Sequence, residues 1–277
     1  MLEEKLLPAG GERLDAPVPR ARRGRLSPTV RARAIGTIAV TLFVIAWEGV
    51  VRLGQVNPLF TSSPTRIVST FIRMLHEGVL GKDIRVSGTE FLIGYGLAVV
   101  VGILVGVAMG WYHDVAAALQ PFVSALYSTP RIALVPLFII WLGIGEMPKE
   151  VLILIGVAPI MAVTTVAALD EVPEDLRLCA RTLGASPRYT MLRVQIRAAL
   201  PGILTGMRIA MAGAWTSIVA AELIAATSGL GYLIMQAGDY LNTALVFSGI
   251  IMIAIIALVL DACLRGLLLL ADPSRPR

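Results

Sequence analysis

Two charged side chains in this 277-residue sequence stand where a charge is least welcome. Glu222 lies within Ala220-Ala221-Glu222-Leu223-Ile224, and Arg131 within Ser128-Thr129-Pro130-Arg131-Ile132, each inside a long apolar block. An ionised group in hydrocarbon is costly unless it is paired or hydrated, so each residue is a functional-site hypothesis. Arg131 is suited to attracting an anion, or to pairing with a carboxylate such as Glu222. Glu222 has two readings that stand side by side. It lines a polar passage, where its charge repels anions, or it caps backbone donors in the loop from Ser228 to Gly231. Tyr127, Ser128, Thr129 and Trp215 bring further polar groups to the same blocks. Glu48 and Asp261 fall near block ends, where hydration or pairing is cheap, and take structural roles.

The familiar catalytic patterns do not occur. The lysines are Lys5, Lys82 and Lys149, and none closes a Gly-x-x-x-x-Gly-Lys-Ser/Thr phosphate loop. The histidines His76 and His113 form no His-Glu-x-x-His pair, and no Gly-x-Ser-x-Gly elbow is present. Cys179 and Cys263 stand apart without further ligands, so neither a metal site nor a disulfide framework is indicated. The expectation is a chain with no catalytic residue, metal or cofactor of its own.

The elements that must position these residues are membrane spans. The sequence is 56% hydrophobic and 16% charged, with a mean hydropathy of +0.78. A soluble domain carries about 25% charged residues. Apolar blocks near 35–53, 87–110, 119–143, 150–169, 199–226 and 244–270 are each long enough to cross a hydrocarbon core of roughly 30 Å at about 1.5 Å per helical residue. The fold class is therefore an all-α membrane protein with six transmembrane helices. The net charge of +5 does not indicate nucleic acid, because the arginines flank apolar blocks instead of forming a basic face with interleaved aromatics.

Lysine and arginine are distributed unequally about the spans. Eight lie in the N-terminal tail, five in the 170–198 loop (Arg177, Arg181, Arg188, Arg193, Arg197) and two at the end (Arg275, Arg277). The opposite side carries Arg66, Arg73, Lys82, Arg85 and Lys149. The positive-inside rule then predicts cytoplasmic termini and a cytoplasmic 170–198 loop. Residues 1–33, rich in Arg, Pro and Gly, read as a disordered basic tail, 34–270 as the membrane domain and 271–277 as a short cytoplasmic tail.

Within the spans, Pro121, Pro130 and Pro136 mark the third as irregular, and Pro159 kinks the fourth. Gly102, Gly106 and Gly110 give the second span a smooth face for close helix contact. Between the first two spans, Ile67, Phe71, Met74 and Leu75 share one face of a helix predicted to lie along the membrane surface.

The 170–198 loop is longer than a plain connection requires. Asp170, Glu171, Pro173, Glu174 and Asp175 suit a helix start, and Gly184 suits its end. A second helix is predicted after Ser186-Pro187, with Tyr189, Leu192 and Ile196 at helical spacing. The product is an elbow of two short helices, shaped to enter a groove on another protein.

The run from Cys179 through Ala180-Arg181-Thr182-Leu183-Gly184-Ala185-Ser186, continuing in Ala199-Leu200-Pro201-Gly202 to Arg208, resembles the EAA loop of binding-protein-dependent ABC importer permeases. Ala220-Ala221-Glu222-Leu223-Ile224-Ala225-Ala226, Ser228-Gly229-Leu230-Gly231-Tyr232, Trp47-Glu48, Ser63-Pro64 and Ser128-Thr129-Pro130-Arg131 are similar to the nitrate, sulfonate, taurine and bicarbonate subfamily. The resemblance spans about residues 35–270. It implies a type I importer permease in a bacterial inner membrane, with ABC ATPase subunits that hold ATP and Mg, a second permease copy forming a homodimer, and an extracytoplasmic substrate-binding protein. It implies ATPase coupling through Ala180, Arg181, Thr182, Leu183, Gly184, Ala185, Ser186 and Arg188. The candidate translocation pathway is Tyr127, Ser128, Thr129, Arg131, Trp215 and Glu222, and the implied cargo is a small anion. Leu178 stands where the motif's glutamate is expected, and Arg197 where its distal proline falls, so no coupling role passes to a carboxylate at 178. The competing function is a secondary transporter or channel not driven by ATP, which would favour internal repeats with paired broken helices. No convincing repeat relates the two halves.

Overall fold

The computed structural model describes residues 28–54, 56–57 and 60–271. Of the expected tails at 1–33 and 271–277, residues 1–27 and 272–277 lie outside the described residues. Residues 28–33, assigned to the tail on sequence, are already helical. Helix α1 runs Pro28–Arg52. The chain divides into two units, 1–46 and 47–277, and the described part of the first is the leading stretch of α1, with exposed Ile35, Ile38, Val40, Leu42, Phe43 and Ile45.

The second unit is all-helical among the described residues. Its elements are α2 (Pro64–His76), α3 (Val79–Trp111), α4 (His113–Ser128), a 3₁₀ turn (Arg131–Leu134), α5 (Val135–Leu142), α6 (Met147–Asp170), α7 (Glu174–Thr182), α8 (Pro187–Tyr189), a π-helical segment (Thr190–Gln195), α9 (Ile196–Ala225), α10 (Leu230–Asp239) and α11 (Thr243–Ala271).

Glycines set the central contact, between α3 and α6. A Cβ at Gly106 would lie 2.6 Å from Cβ of Thr165 and 2.7 Å from the Ala162 carbonyl, and one at Gly110 would lie 2.8 Å from Leu169. Gly94 meets Ile153 and Gly102 meets Met161 at the same offset along the two helices, so α3 and α6 run parallel. Lipid tails are as apolar as leucine and supply no hydrophobic drive between helices, so close backbone approach across small residues must supply the attraction. Gly202 and Gly206 face Ala168 and Thr164 in reversed order, placing α9 antiparallel to α6.

Parallel α3 and α6 require the chain between them to return across the membrane. The expected third span does this, but not as one helix. Its halves, 113–128 and 131–142, meet at 94°. Pro130 has no N–H to continue the ladder, and Pro136 opens α5. Five unbroken helices, with the bent pair counted as one crossing, thus match the six predicted spans.

Three other elements differ from expectation. The second loop helix does not stop before the fifth span; α8 passes through the π segment directly into α9. Residues 230–239, read as connection, form α10, which packs on α9, α11 and α3. In α2, Ile67, Thr70 and Met74 are buried against protein, and the Ile67 carbonyl accepts from Ser248 Oγ at 3.3 Å, while Val68, Ile72 and Leu75 stay exposed.

Aromatic side chains fill the centre. Phe91 stacks on Tyr95 at 5.3 Å and meets Trp215 edge-on at 5.3 Å. Tyr95 Oη donates to the Met207 carbonyl at 2.7 Å, and Trp215 Nε1 to the Ile253 carbonyl at 3.2 Å, joining α3, α9 and α11.

Gly106→Val should destabilise the purified protein by about 3 kcal/mol, because the overlap includes a backbone carbonyl that cannot rotate away. Gly96→Val, where no atom lies within 4 Å, is the control, and thermal unfolding in detergent compares them.

Candidate functional site

The elbow is built by local chemistry. Glu174 and Asp175 occupy the first turn of α7, where the helix dipole favours negative charge. Arg177 Nη2 donates to the Leu169 carbonyl at 2.7 Å and ties α7 to the end of α6. The helix closes in a Schellman motif: Gly184 N–H bonds to the Arg181 carbonyl at 2.9 Å and Ala185 N–H to the Ala180 carbonyl at 3.0 Å. The motif requires a left-handed residue, and Gly184 has φ +83°. Ser186 Oγ then accepts from Tyr189 N at 3.3 Å and starts the second helix.

This geometry brings Ala180, Leu183, Gly184, Ala185 and Ser186 together with Leu176, Tyr189 and Val194 around a cleft of about 720 Å³. Leu183 is 88% exposed at the tip, and Leu176, Leu178 and Tyr189 are exposed around it. Arg181, Thr182 and Arg188 lie on the elbow outside the cleft lining and are exposed, as is Arg197. The result is a concave feature rimmed by exposed leucine and tyrosine.

The six pathway candidates do not form one group. Tyr127, Ser128, Thr129 and Arg131 cluster at the α4–α5 bend, with Tyr127 and Ser128 exposed and Arg131 half-buried. Trp215 is 4% exposed and belongs to the aromatic core.

Glu222 is not deep in its span but in the last turn of α9, and it is not paired with Arg131. Its Oε1 accepts from Ser87 Oγ at 2.6 Å and its Oε2 from Gly231 N at 2.7 Å. Ser87 Oγ also accepts from Leu230 N at 2.9 Å, and Asp83 accepts from Gly229 N at 3.1 Å. Three consecutive backbone donors at the start of α10 are thus met by side chains of α3 and α9, with both carboxylates at the positive end of the helix. Of the two readings of Glu222, the capping geometry is the one present. A Cβ at Gly229 (φ +112°) would collide with the Glu222 carboxylate, so glycine is needed there.

Sequence reasoning missed Glu90. It lies within the predicted second span and is 1% exposed, paired with Lys149 of α6, itself 6% exposed. The signal was present: Asp83, Ser87 and Glu90 repeat at helical spacing and face one side of α3. Towards the other end, Asp261 takes both Arg208 and Arg265, and Glu48 accepts from Arg52 and from Thr65 N and Oγ1.

Residues 98–275 match the family described as binding-protein-dependent transport system inner membrane component. The chain belongs to this family. The permease is similar to the taurine transport system permease protein TauC of Escherichia coli, 37% identical over 239 residues, covering 84% of this chain and 86% of that protein. It is 31% identical over 230 residues to a putative aliphatic sulfonates transport permease protein, SsuC, of Bacillus subtilis, covering 83% of each. In fold it resembles a chain of the inward-facing MetNI methionine ABC transporter, with TM-score 0.65 and 19% identity, covering 71% of this chain and 98% of that one. It is therefore a multi-pass inner-membrane subunit of an ATP-driven importer, and ATP hydrolysis belongs to a separate ATPase. The alternative of a secondary transporter or channel finds no support in these likenesses.

Glu90→Ala should cost about 3–5 kcal/mol by leaving Lys149 buried without a counter-charge. The double substitution Glu90→Leu with Lys149→Met should recover most of the loss. Thermal unfolding of the wild type, Glu90→Leu, Lys149→Met and this double substitution closes the cycle; additive single and double effects would show that the pair is not coupled.

Proposed function

We propose that this permease imports a small organic oxyanion of the sulfonate class, working as a homodimer with both termini in the cytoplasm. The observation that carries the cargo is the similarity over most of the chain to permeases named for taurine and for aliphatic sulfonates. Nitrate, bicarbonate and carboxylates share the chemistry and are the alternatives to compare. An extracytoplasmic binding protein delivers the solute. The passage runs past the α4–α5 bend, where Tyr127, Ser128, Thr129 and Arg131 cluster; Trp215 and Glu222 support its walls from within the packing.

The elbow is the EAA-type coupling loop in this reading. Its tip, from Ala180 to Arg188, enters a groove on the ATPase, which holds ATP and Mg. Support comes from an apolar knob exposed in a positively charged loop, held by a Schellman turn and an arginine anchor. Leu178, exposed on α7, adds apolar surface where the family motif has a carboxylate, so the matching ATPase groove is less dependent on a cation at that point.

Proteoliposomes containing the permease, its ATPase and its binding protein should take up taurine or a short alkanesulfonate when ATP is present. Uptake of a solute without an acid group instead would overturn the cargo. Leu183→Asp should reduce recovery of the ATPase with the permease at least tenfold without unfolding the protein, because the side chain contributes little to packing. Undiminished co-purification would remove the elbow from the interface.

A further inference from the structure

The cations along the spanning helices are paired with carboxylates at several places: Arg208 and Arg265 with Asp261, Lys149 with Glu90, and Arg52 with Glu48. Lys82 and Arg85 near the start of α3 have no such partner among the described residues but are exposed, whereas Arg131 is half-buried. Among the described residues no carboxylate pairs with it, and its side-chain hydrogen bond is a long one, from Nη1 to Ser217 Oγ at 3.5 Å. Ser217 commits its own proton to the Gly213 carbonyl at 2.7 Å, so it receives the guanidinium and holds it in place.

The surroundings make room for this side chain. A Cβ at Gly156 of α6 would overlap Arg131 Cδ, and a Cβ at Gly213 of α9 would lie 3.0 Å from Nη1. Two helices that pack closely elsewhere each present a glycine where the arginine passes between them. Gly156 lies about 13 Å along α6 from its start at Met147, at about 1.5 Å per residue, which is well inside the membrane. The chain also bends by 94° at this level, and irregular backbone at membrane depth is tolerated only where protein or a water-filled cavity receives it. Arg131 is half-buried, and Tyr127 and Ser128 beside it on the bend are exposed, so the guanidinium is not sealed in.

We infer that Arg131 is an anion-binding residue within the membrane, whose unspent N–H groups receive the charged head of the cargo, held in position by Ser217 and admitted by Gly156 and Gly213. The planar guanidinium presents parallel N–H donors that match an acid group with two or more equivalent oxygens, a sulfonate or a carboxylate. A solute without an acid group gains nothing from such a contact. Glu222 does not compete for the arginine, because its oxygens are occupied at α10. This inference rests on the oxyanion cargo proposed above and adds the residue that recognises it.

The test uses the complete importer in proteoliposomes, with taurine as the probe and co-purified ATPase as the check on assembly. Arg131→Gln should lower kcat/KM for uptake by about tenfold to a hundredfold, the loss expected for a charge-assisted hydrogen-bonded pair. Arg131→Lys should recover only part, because it restores charge without the fork. Should Arg131→Gln fail to assemble, Gly213→Ala, which keeps the charge but crowds Nη1, should raise KM several-fold, and an unchanged KM overturns the site. In a Cys179→Ser, Cys263→Ser background, Arg131→Cys should regain uptake when the thiol is given an aminoethyl group and not when it is given a sulfonatoethyl group. Equal effects of the two reagents would show that Arg131 acts through packing alone. Wild-type uptake of taurine together with undiminished uptake by Arg131→Gln overturns the site and leaves the cargo standing. Wild-type vesicles that take up no sulfonate or carboxylate overturn the cargo, and the site with it.

Discussion

The hydrocarbon core contains no water to hydrogen-bond a stray polar group, and the rest of this structure follows from that constraint. A helix that begins inside the protein leaves its first N–H groups without partners. α10 begins this way, and Asp83, Ser87 and Glu222 reach from two other helices to receive Gly229, Leu230 and Gly231. Lys149 inside the packing has the same requirement for charge, which Glu90 meets. The most polar part of the protein interior is thus also what fixes α3, α6, α9 and α10 to one another.

The same solvent sets how helices attract. With no hydrophobic gain in leaving lipid, contact depends on approach distance and packing, and the glycines of α3 and α9 allow the neighbouring backbone of α6 to come close. Where a larger side chain must pass between helices, as Arg131 does between α6 and α9, glycine again provides the room. Aromatic packing of Phe91, Tyr95 and Trp215 then ties the parallel pair to α9 and α11.

On the cytoplasmic reading of the elbow, water takes the place of lipid and the logic reverses. Exposed Leu183 and Tyr189 are unfavourable there until a partner covers them. The elbow is well connected: Arg177 holds α7 to the end of α6, and α8 leads through the π segment into α9 without a loop. The elbow is thus continuous with α9, the helix that carries Ser217 and Glu222. The α4–α5 bend lies against the same two helices, with Arg131 reaching between them.

Composition and apolar block length were enough to establish an all-helical membrane protein with about six crossings, because length at a fixed rise per residue is a local property. The elbow was legible for a similar reason: Pro173, the acidic first turn, Gly184 and Ser186 act through neighbours within a few residues. The glycine face at 102, 106 and 110 was also readable from spacing. What faces it was not. Only the tertiary structure decided that α3 and α6 run parallel, that the third span breaks at Pro130, and that residues 230–239 form a capped helix. It alone brought Lys149 to Glu90, Glu222 to Ser87 and Gly231, and left Arg131 without a carboxylate among the described residues. Such pairings join residues far apart in the chain, and their energies depend on distance and burial, which residue spacing along one helix does not contain.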